Sequence, residues 1–308
     1  VGHGTGEALL RNADVAMYRA KARGKRRWVL LDDAMRAAAV ERLQLDADLH
    51  LALDREELEL HYQPIFELDS GRLTGFEALL RWNHPELGCI SPDRFIPIAE
   101  ENGTIIPIGA WVLSTAARTA ASWQARTDAD PPLTMSVNVS SRQLANDGFL
   151  AVVEQALEGA GLEPSNLVLE LTESYLIVDP ERAAARLRSL SEMGVRLAVD
   201  DFGTGYSSLS YLKEFPVDIL KIDRSFIATI TADEEVPSLI RAVLDLCRTM
   251  GLDAVAEGIE EPHQLDQLLV ERCPLGQGFL FDRPLTEGAA GALVEELGAA
   301  PVRPGAGC

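Results

Sequence analysis

Positive charge is what this sequence most lacks. Its 28 Lys and Arg stand against 48 Asp and Glu, a formal net charge of −20 over 308 residues. General nucleic-acid binding needs a basic footprint, so that class of function is excluded. Cysteine is also sparse, with Cys89, Cys247, Cys273 and Cys308 widely scattered and never in a CxxC spacing. That pattern excludes a zinc site or a disulfide framework and reads as reduced thiols in a cytoplasmic protein. No apolar run reaches the length of a membrane span, and no signal-peptide pattern opens the chain. No membrane contact is expected from this segment, although a full-length parent is free to be membrane-anchored.

What remains is ordinary for a soluble globular chain, with 47% hydrophobic and 25% charged residues. The length suffices for one large core or two smaller ones. The least ordinary feature is a pair of acids, Asp200 and Asp201, which close the apolar run Val195 to Val199 and precede Phe202-Gly203-Thr204-Gly205. Adjacent carboxylates after an apolar strand are costly to desolvate unless a cation meets them. Hard divalent ions such as magnesium prefer carboxylate oxygens and are the natural guests. Other apolar runs end in Glu77, Asn138, Glu170, Lys221, Glu257 and Gln277. A site assembled from many strand ends is how a barrel enzyme is built.

The periodicity agrees. Helical spacing is read over Glu7 to Gly24, Asp32 to Arg55, Ile108 to Gln124, Leu150 to Ala160, Pro180 to Met193, Ser238 to Met250, Pro262 to Glu271 and Glu287 to Leu297. In the second of these, Leu45, Leu49 and Ala52 or Leu53 share a face. Strands are expected at Leu58 to Phe66, Leu73 to Trp82, Leu133 to Val139, Leu167 to Thr172, Val195 to Val199, Ile219 to Ile222, Ala254 to Ala256 and Gly278 to Phe281. Strands alternating with helices over roughly 250 residues fit a (β/α)8 barrel. The first connection, Glu67 to Arg72, is too short for a crossover helix. The fold expected is therefore α/β, a modified (β/α)8 TIM-like barrel with an antiparallel first strand.

Strand alternation lets the polar residues converge. Glu77, Leu79 and Arg81 share one face, as do Ser136, Asn138 and Ser140, while Glu170 and Thr172 oppose Leu169 and Leu171. Lys221 and Asp223 alternate with Leu220 and Ile222.

Gly75-Phe76-Glu77-Ala78-Leu79-Leu80-Arg81-Trp82 resembles the signature of the EAL family of cyclic di-GMP phosphodiesterases. The resemblance extends in order through Tyr62-Gln63-Pro64, Ser136-Val137-Asn138-Val139-Ser140, Glu170-Leu171-Thr172-Glu173, Asp200 to Leu209, Leu220-Lys221-Ile222-Asp223, Ala256-Glu257-Gly258 and Gln277-Gly278. Three letters alone are worthless as a tag; this ordered set is not. The segment Ala13 to Lys21 resembles the closing helix of a GGDEF, diguanylate cyclase-like, domain whose own signature is absent. The organisation expected is a GGDEF-like remnant over 1–31, a linker helix over 32–56, the EAL barrel over 57–298 and a disordered tail over 299–308.

The resemblance implies hydrolysis of cyclic di-GMP to linear 5′-pGpG with two Mg2+ or Mn2+ ions. Two metals about 3.5–4 Å apart activate water and stabilise charge on a phosphoryl group. By resemblance, Glu77, Asn138, Glu170 and Asp200 hold one ion and Asp200, Asp201 and Glu257 the other. Lys221 would hydrogen-bond the attacking water, with the proton acceptor left open among Lys221, Glu257 and the metals. Arg81 suits a substrate phosphate through its planar fork. Gln63, Leu79 and Gln277 are further substrate-side residues, Gln277 standing near the metals or their waters. Glu173 and Asp223 are assigned to holding the loop after Asp201.

Three departures from the family pattern are Arg272-Cys273-Pro274 before the glutamine motif, Phe279 for Tyr and Ile259 for Val. None removes a proposed ligand, but Pro274 bears on where Gln277 sits. His3, His50, His61, His84 and His263 include no adjacent His-Asp pair, which speaks against the histidine-metal phosphodiesterases. Asp201-Phe202-Gly203 matches the kinase metal triplet without the rest of a kinase's motifs. A homodimer through the barrel face near the loop after Asp201 is a further implication. The rival reading is a cyclic di-GMP receptor without turnover, or an autoinhibited enzyme. Receptors of this family usually lack some of the ligands present here.

Overall fold

A computed structural model describes residues 33–127, 129–172, 180–203, 214–232 and 236–297. The GGDEF-like segment, Glu173, the motif from Thr204 to Leu209 and the tail lie outside the described residues. Two compact units emerge: one joins 82–104 to the chain before Leu58, and the other holds 58–81 and the chain from Ile105 onward. Among the described residues no helix is long and apolar enough to cross a membrane.

In the smaller unit a helix runs Asp33–Ala52 and buries Leu45, Leu49 and Ala52, the face expected from spacing. It lies against a helix over Pro92–Asn102. Arg42 pairs with Glu101 at 2.6 Å, and the Asn102 amide donates to Asp46 at 2.6 Å. A short strand, β3 (Gly88–Ile90), folds back on the end of β2 (Leu73–His84), pairing Ile90 with Trp82. The buried Trp82 indole donates to Glu57 at 3.0 Å and meets Phe95 edge-on. Neither β3 nor the Pro92 helix is legible from periodicity. A proline at its start and Pro97 inside it disguise the helix as loop.

The larger unit is the barrel. Its strands are β1 (Leu58–Glu67), β2, β4 (Thr134–Val139), β5 (Leu167–Thr172), β6 (Arg196–Phe202), β7 (Ile219–Ile222), β8 (Asp253–Ala256) and β9 (Leu275–Gly276). They pair in the order β1-β9-β8-β7-β6-β5-β4-β2, and a β1–β2 pairing closes the ring. Neighbours from β2 round to β9 are parallel, whereas β1 runs antiparallel to β9. The cause is the tight turn after β1, where the Glu67 N–H donates to the Arg72 carbonyl at 2.9 Å. The modified barrel with an antiparallel first strand stands as the sequence implies. Helices at Ile105–Gln124, Phe149–Ala160, Pro180–Glu192, Ser238–Met250, Pro262–Val270 and Glu287–Leu297 fall within a few residues of their expected spans. Inside the ring, Ile65, Val168, Ala198, Ile219 and Val255 form an apolar floor joined by Leu275.

Two strands correct the expectation. The last is Leu275–Gly276, and the apolar stretch Gly278 to Phe281 is a turn, with the Phe281 and Asp282 N–H groups returning to the Gly278 carbonyl. Gly278 presses on the backbone of Ile259, where a Cβ would fall 2.1 Å from the carbonyl oxygen. The acid pair, expected after its strand, lies within it. β6 reaches Phe202 with a register shift between Val199 and Phe202, and Asp201 takes a φ of 55°. Such a bulge re-aims side chains at a barrel rim, and an aspartate tolerates this left-handed backbone better than a bulky residue.

Candidate active site

Register brings the polar residues to one level. Glu77 stands beside Ser136, Asn138 beside Glu170, and Thr172 beside Asp200. Period-two alternation turns these side chains to the interior while Ala78, Val137 and Leu171 stay in the apolar layers. Glu257 follows β8, its N–H bonded to the Ile222 carbonyl at 3.1 Å. Gln277 follows β9 with its N–H on Ala256 at 2.9 Å, so Pro274 does not carry it away from the site.

Lys221 is the hub. Its ammonium lies 2.6 Å from Glu170, 2.7 Å from Glu257, 3.3 Å from Glu77 and 3.6 Å from Asp200, and the residue is 1% exposed. Burial would lower its pKa, but these four carboxylates outweigh that and hold the ammonium well above the ordinary lysine value. One positive charge cannot balance four negative ones, and the carboxylates divide the shortfall. Burial works to raise Glu77, yet Lys221, Gln277 and Asn138 together keep it below the usual glutamate value. Burial and the neighbouring Glu77 push Glu170 well above it. Glu257 is pushed up to about 8, chiefly by burial, with Lys221 opposing. Asp201 is raised by burial and by the charges of Asp200 and Asp223.

The amides complete the cluster. Asn138 Nδ2 donates to Glu77 Oε1 at 2.7 Å. Gln277 Nε2 donates to Glu77 Oε2 at 2.7 Å and to Glu257 Oε1 at 3.0 Å. The opposite orientation of this amide would set its oxygen against two carboxylates. Buried Gln277 Oε1 has no hydrogen-bond partner among the described residues. An orphaned acceptor beside surplus negative charge is what a missing hydrated cation would leave. Asp200, Asp201 and Glu257 each offer an oxygen, all within 4.8 Å of one another. Oxygen-only donors suit hard ions such as magnesium or manganese, so these residues fit a divalent metal.

The other sequence candidates are distributed around this centre. Gln63 is buried in β1, while Leu79 and Arg81 are half-buried in β2, two and four residues past Glu77. Arg81 donates to the Leu80 carbonyl at 2.9 Å. Asp223 caps the helix Arg224–Ile227, accepting from the Ser225 N–H at 3.0 Å. What spacing did not disclose is that Lys221 ties Glu77, Glu170, Asp200 and Glu257 together. No sequence signal carries that; it requires the closed ring.

A closed α/β barrel with carboxylates at the C-terminal ends of its strands defines a barrel of the TIM-like class. The EAL domain family matches residues 46–284, and the chain belongs to that family. It is 44% identical over 281 residues to the bifunctional diguanylate cyclase/cyclic di-GMP phosphodiesterase MucR of Pseudomonas aeruginosa, covering 91% of this chain and 41% of MucR. It is 38% identical over 278 residues to the cyclic di-GMP phosphodiesterase PdeR of Escherichia coli, covering 90% of this chain and 42% of PdeR. The chain thus spans about two fifths of these curated relatives. The solved PaMucR phosphodiesterase in complex with c-di-GMP superposes with a TM-score of 0.76 at 43% identity, over 80% of this chain and 99% of that one.

Proposed function

We propose that this chain is a metal-dependent phosphodiesterase that opens cyclic di-GMP to linear 5′-pGpG. The observation that carries the reading is the set of four carboxylates gathered on Lys221, with surplus negative charge and an orphaned amide oxygen beside it. The names of MucR and PdeR support the substrate.

In this reading Glu77, Asn138, Glu170 and Asp200 hold one Mg2+ or Mn2+ ion, and Asp200, Asp201 and Glu257 the second. Bound, such ions supply a hydroxide-like water and neutralise phosphoryl oxygens. The protein's own residues do the rest. Gln277 fixes the carboxylates of Glu77 and Glu257 by donating to both. Lys221 keeps its proton under the carboxylates that surround it, and offers positive charge and a hydrogen bond to the attacking oxygen. Arg81 grips a substrate phosphate, with Gln63 and Leu79 along the substrate path. Burial pushes Glu257 up to about 8 in the metal-free protein, and a bound ion would hold it as a carboxylate ligand.

The rival is a receptor that binds the nucleotide without turnover, and the intact acid set weighs against it. Purified protein incubated with cyclic di-GMP and magnesium or manganese decides between them by chromatography, run beside a chelator and Glu77→Ala. Metal-dependent 5′-pGpG, reduced by at least ~100-fold in a Glu77→Ala variant that still folds, is expected. Retained turnover in that variant would sink the ligand assignment. Binding without product would point instead to a receptor or an autoinhibited enzyme.

A further inference from the structure

The barrel carries a cavity that opens on the face opposite the acidic mouth. It has a volume of about 470 Å3 and is lined at its outer end by Glu67, Arg72, Arg196 and Asp253. Arg196 and Asp253 are the first residues of β6 and β8, which places this rim at the N-terminal ends of the parallel strands. The wall is the apolar floor, Ile65, Val168, Ala198, Ile219, Val255 and Leu275. The inner end is Ser136, Glu170 and Lys221. Barrel interiors are ordinarily filled by layers of bulky side chains. Here β6 contributes only Ala198 to the floor, and the space left falls within the ~300–1,000 Å3 of small-molecule sites.

The rim has a particular charge balance. Arg196 pairs with Asp253 at 2.6 Å and Arg72 with Glu67 at 3.3 Å, two cations against two anions in a chain of net charge −20. An anionic head would meet the two carboxylates along with the guanidiniums, and a cationic head the reverse. A head carrying both signs offers a partner to a guanidinium and to a carboxylate at once. Both pairs are partly exposed and hold weakly, so exchanging partners costs little. A guanidinium fork matches a carboxylate, the acids accept from an ammonium, and the apolar wall covers the body behind that head.

We propose that the base of the barrel binds a small zwitterion with an apolar body, the chemistry of a free apolar amino acid. Its occupant would sit beneath Glu170 and Lys221, so it bears on turnover without competing with substrate; that second part rests on the phosphodiesterase reading, whereas binding does not.

L-phenylalanine and L-leucine are titrated into the protein by calorimetry and by amide chemical-shift mapping. 3-Phenylpropionate and 2-phenylethylamine, each lacking one charge, are the controls. Saturable amino-acid binding is expected, at least about tenfold tighter than either control because each control leaves a charged rim group unmatched. The shifts should centre on Thr134, Arg196 and Ile219, and Arg196→Met or Ala198→Phe should weaken binding by a similar factor. Absence of saturable binding at millimolar ligand, equal binding of a control, or shifts centred elsewhere would each overturn the proposal. If Ala198→Phe does not fold, the wild-type shift map decides. Because these readouts involve no turnover, their failure leaves the phosphodiesterase reading standing, and a failed hydrolysis assay leaves the binding site standing.

Discussion

Lys221 is the counter-charge on which four carboxylates depend, and removing it tests the electrostatics without altering the backbone. Lys221→Met keeps most of the side chain's length and discards its charge. Breaking a buried ion cluster by deleting one partner costs about 3–5 kcal/mol, because the remaining charges are left uncompensated. In chelator, urea unfolding is expected to show a loss of that size. Added magnesium or manganese should return much of it, since a cation then replaces the ammonium; no recovery would argue against a metal at these acids. The acids also predict a pH dependence for the metal-free protein. Glu257 titrates near 8 when folded against 4.5 as its ordinary value, so the folded state binds the proton more tightly. Stability from this group is full below about 4.5 and falls as pH rises to about 8. Glu170, also raised well above its ordinary value, acts in the same direction, whereas Glu77, lowered, contributes only at more acid pH. The melting temperature in chelator should therefore decline from pH 5 to pH 8.5, and a divalent ion should flatten that slope by displacing the protons.

At the scale of elements, the turn after Gln277 positions the site. Gly278 abuts the Ile259 backbone, and the Leu280 N–H and Ile259 carbonyl lock the two segments together at 2.9 Å. Gly278→Ala should cost about 1–3 kcal/mol by overpacking and should displace the Gln277 amide from Glu77 and Glu257. The paired measurement is denaturant unfolding with the hydrolysis rate; unchanged stability would mean the contact is looser than the geometry states. The same turn shows where a sequence stops being legible. Ser238 to Met250 and Glu287 to Leu297 repeat their apolar residues over three turns, and the helices end where that periodicity ends. Gly278-Phe279-Leu280-Phe281 is more apolar than Leu275-Gly276, yet the latter is the strand, because a two-residue strand has no period to read. At Asp200 and Asp201 the adjacency was visible and pointed to a cation. The bulge was not, since a φ of 55° belongs to the backbone. The members of the site were legible singly, residue by residue. Their arrangement around Lys221 was not, because Glu77 and Glu257 meet only when distant strands close.

At the scale of the whole molecule, the barrel must bring a strongly acidic chain round to its own beginning. Phe66 pairs with Gly276, and Tyr62 exchanges backbone hydrogen bonds with Leu285. Every pairing from β4 to β8 joins strands consecutive along the chain, so those can form in succession. The seam between β1 and β9 waits until the last strand exists. Loop-closure entropy makes such a long-range step a late one in folding. A chain ending at Glu271 would keep the acids of β2 to β8 but leave β1 and β8 as open edges, and open edges recruit other chains. The expected outcome on size-exclusion chromatography is aggregation of that truncated chain beside a well-behaved parent. In a cell making this protein from its N-terminus, the sheet therefore stays adhesive until its final residues emerge.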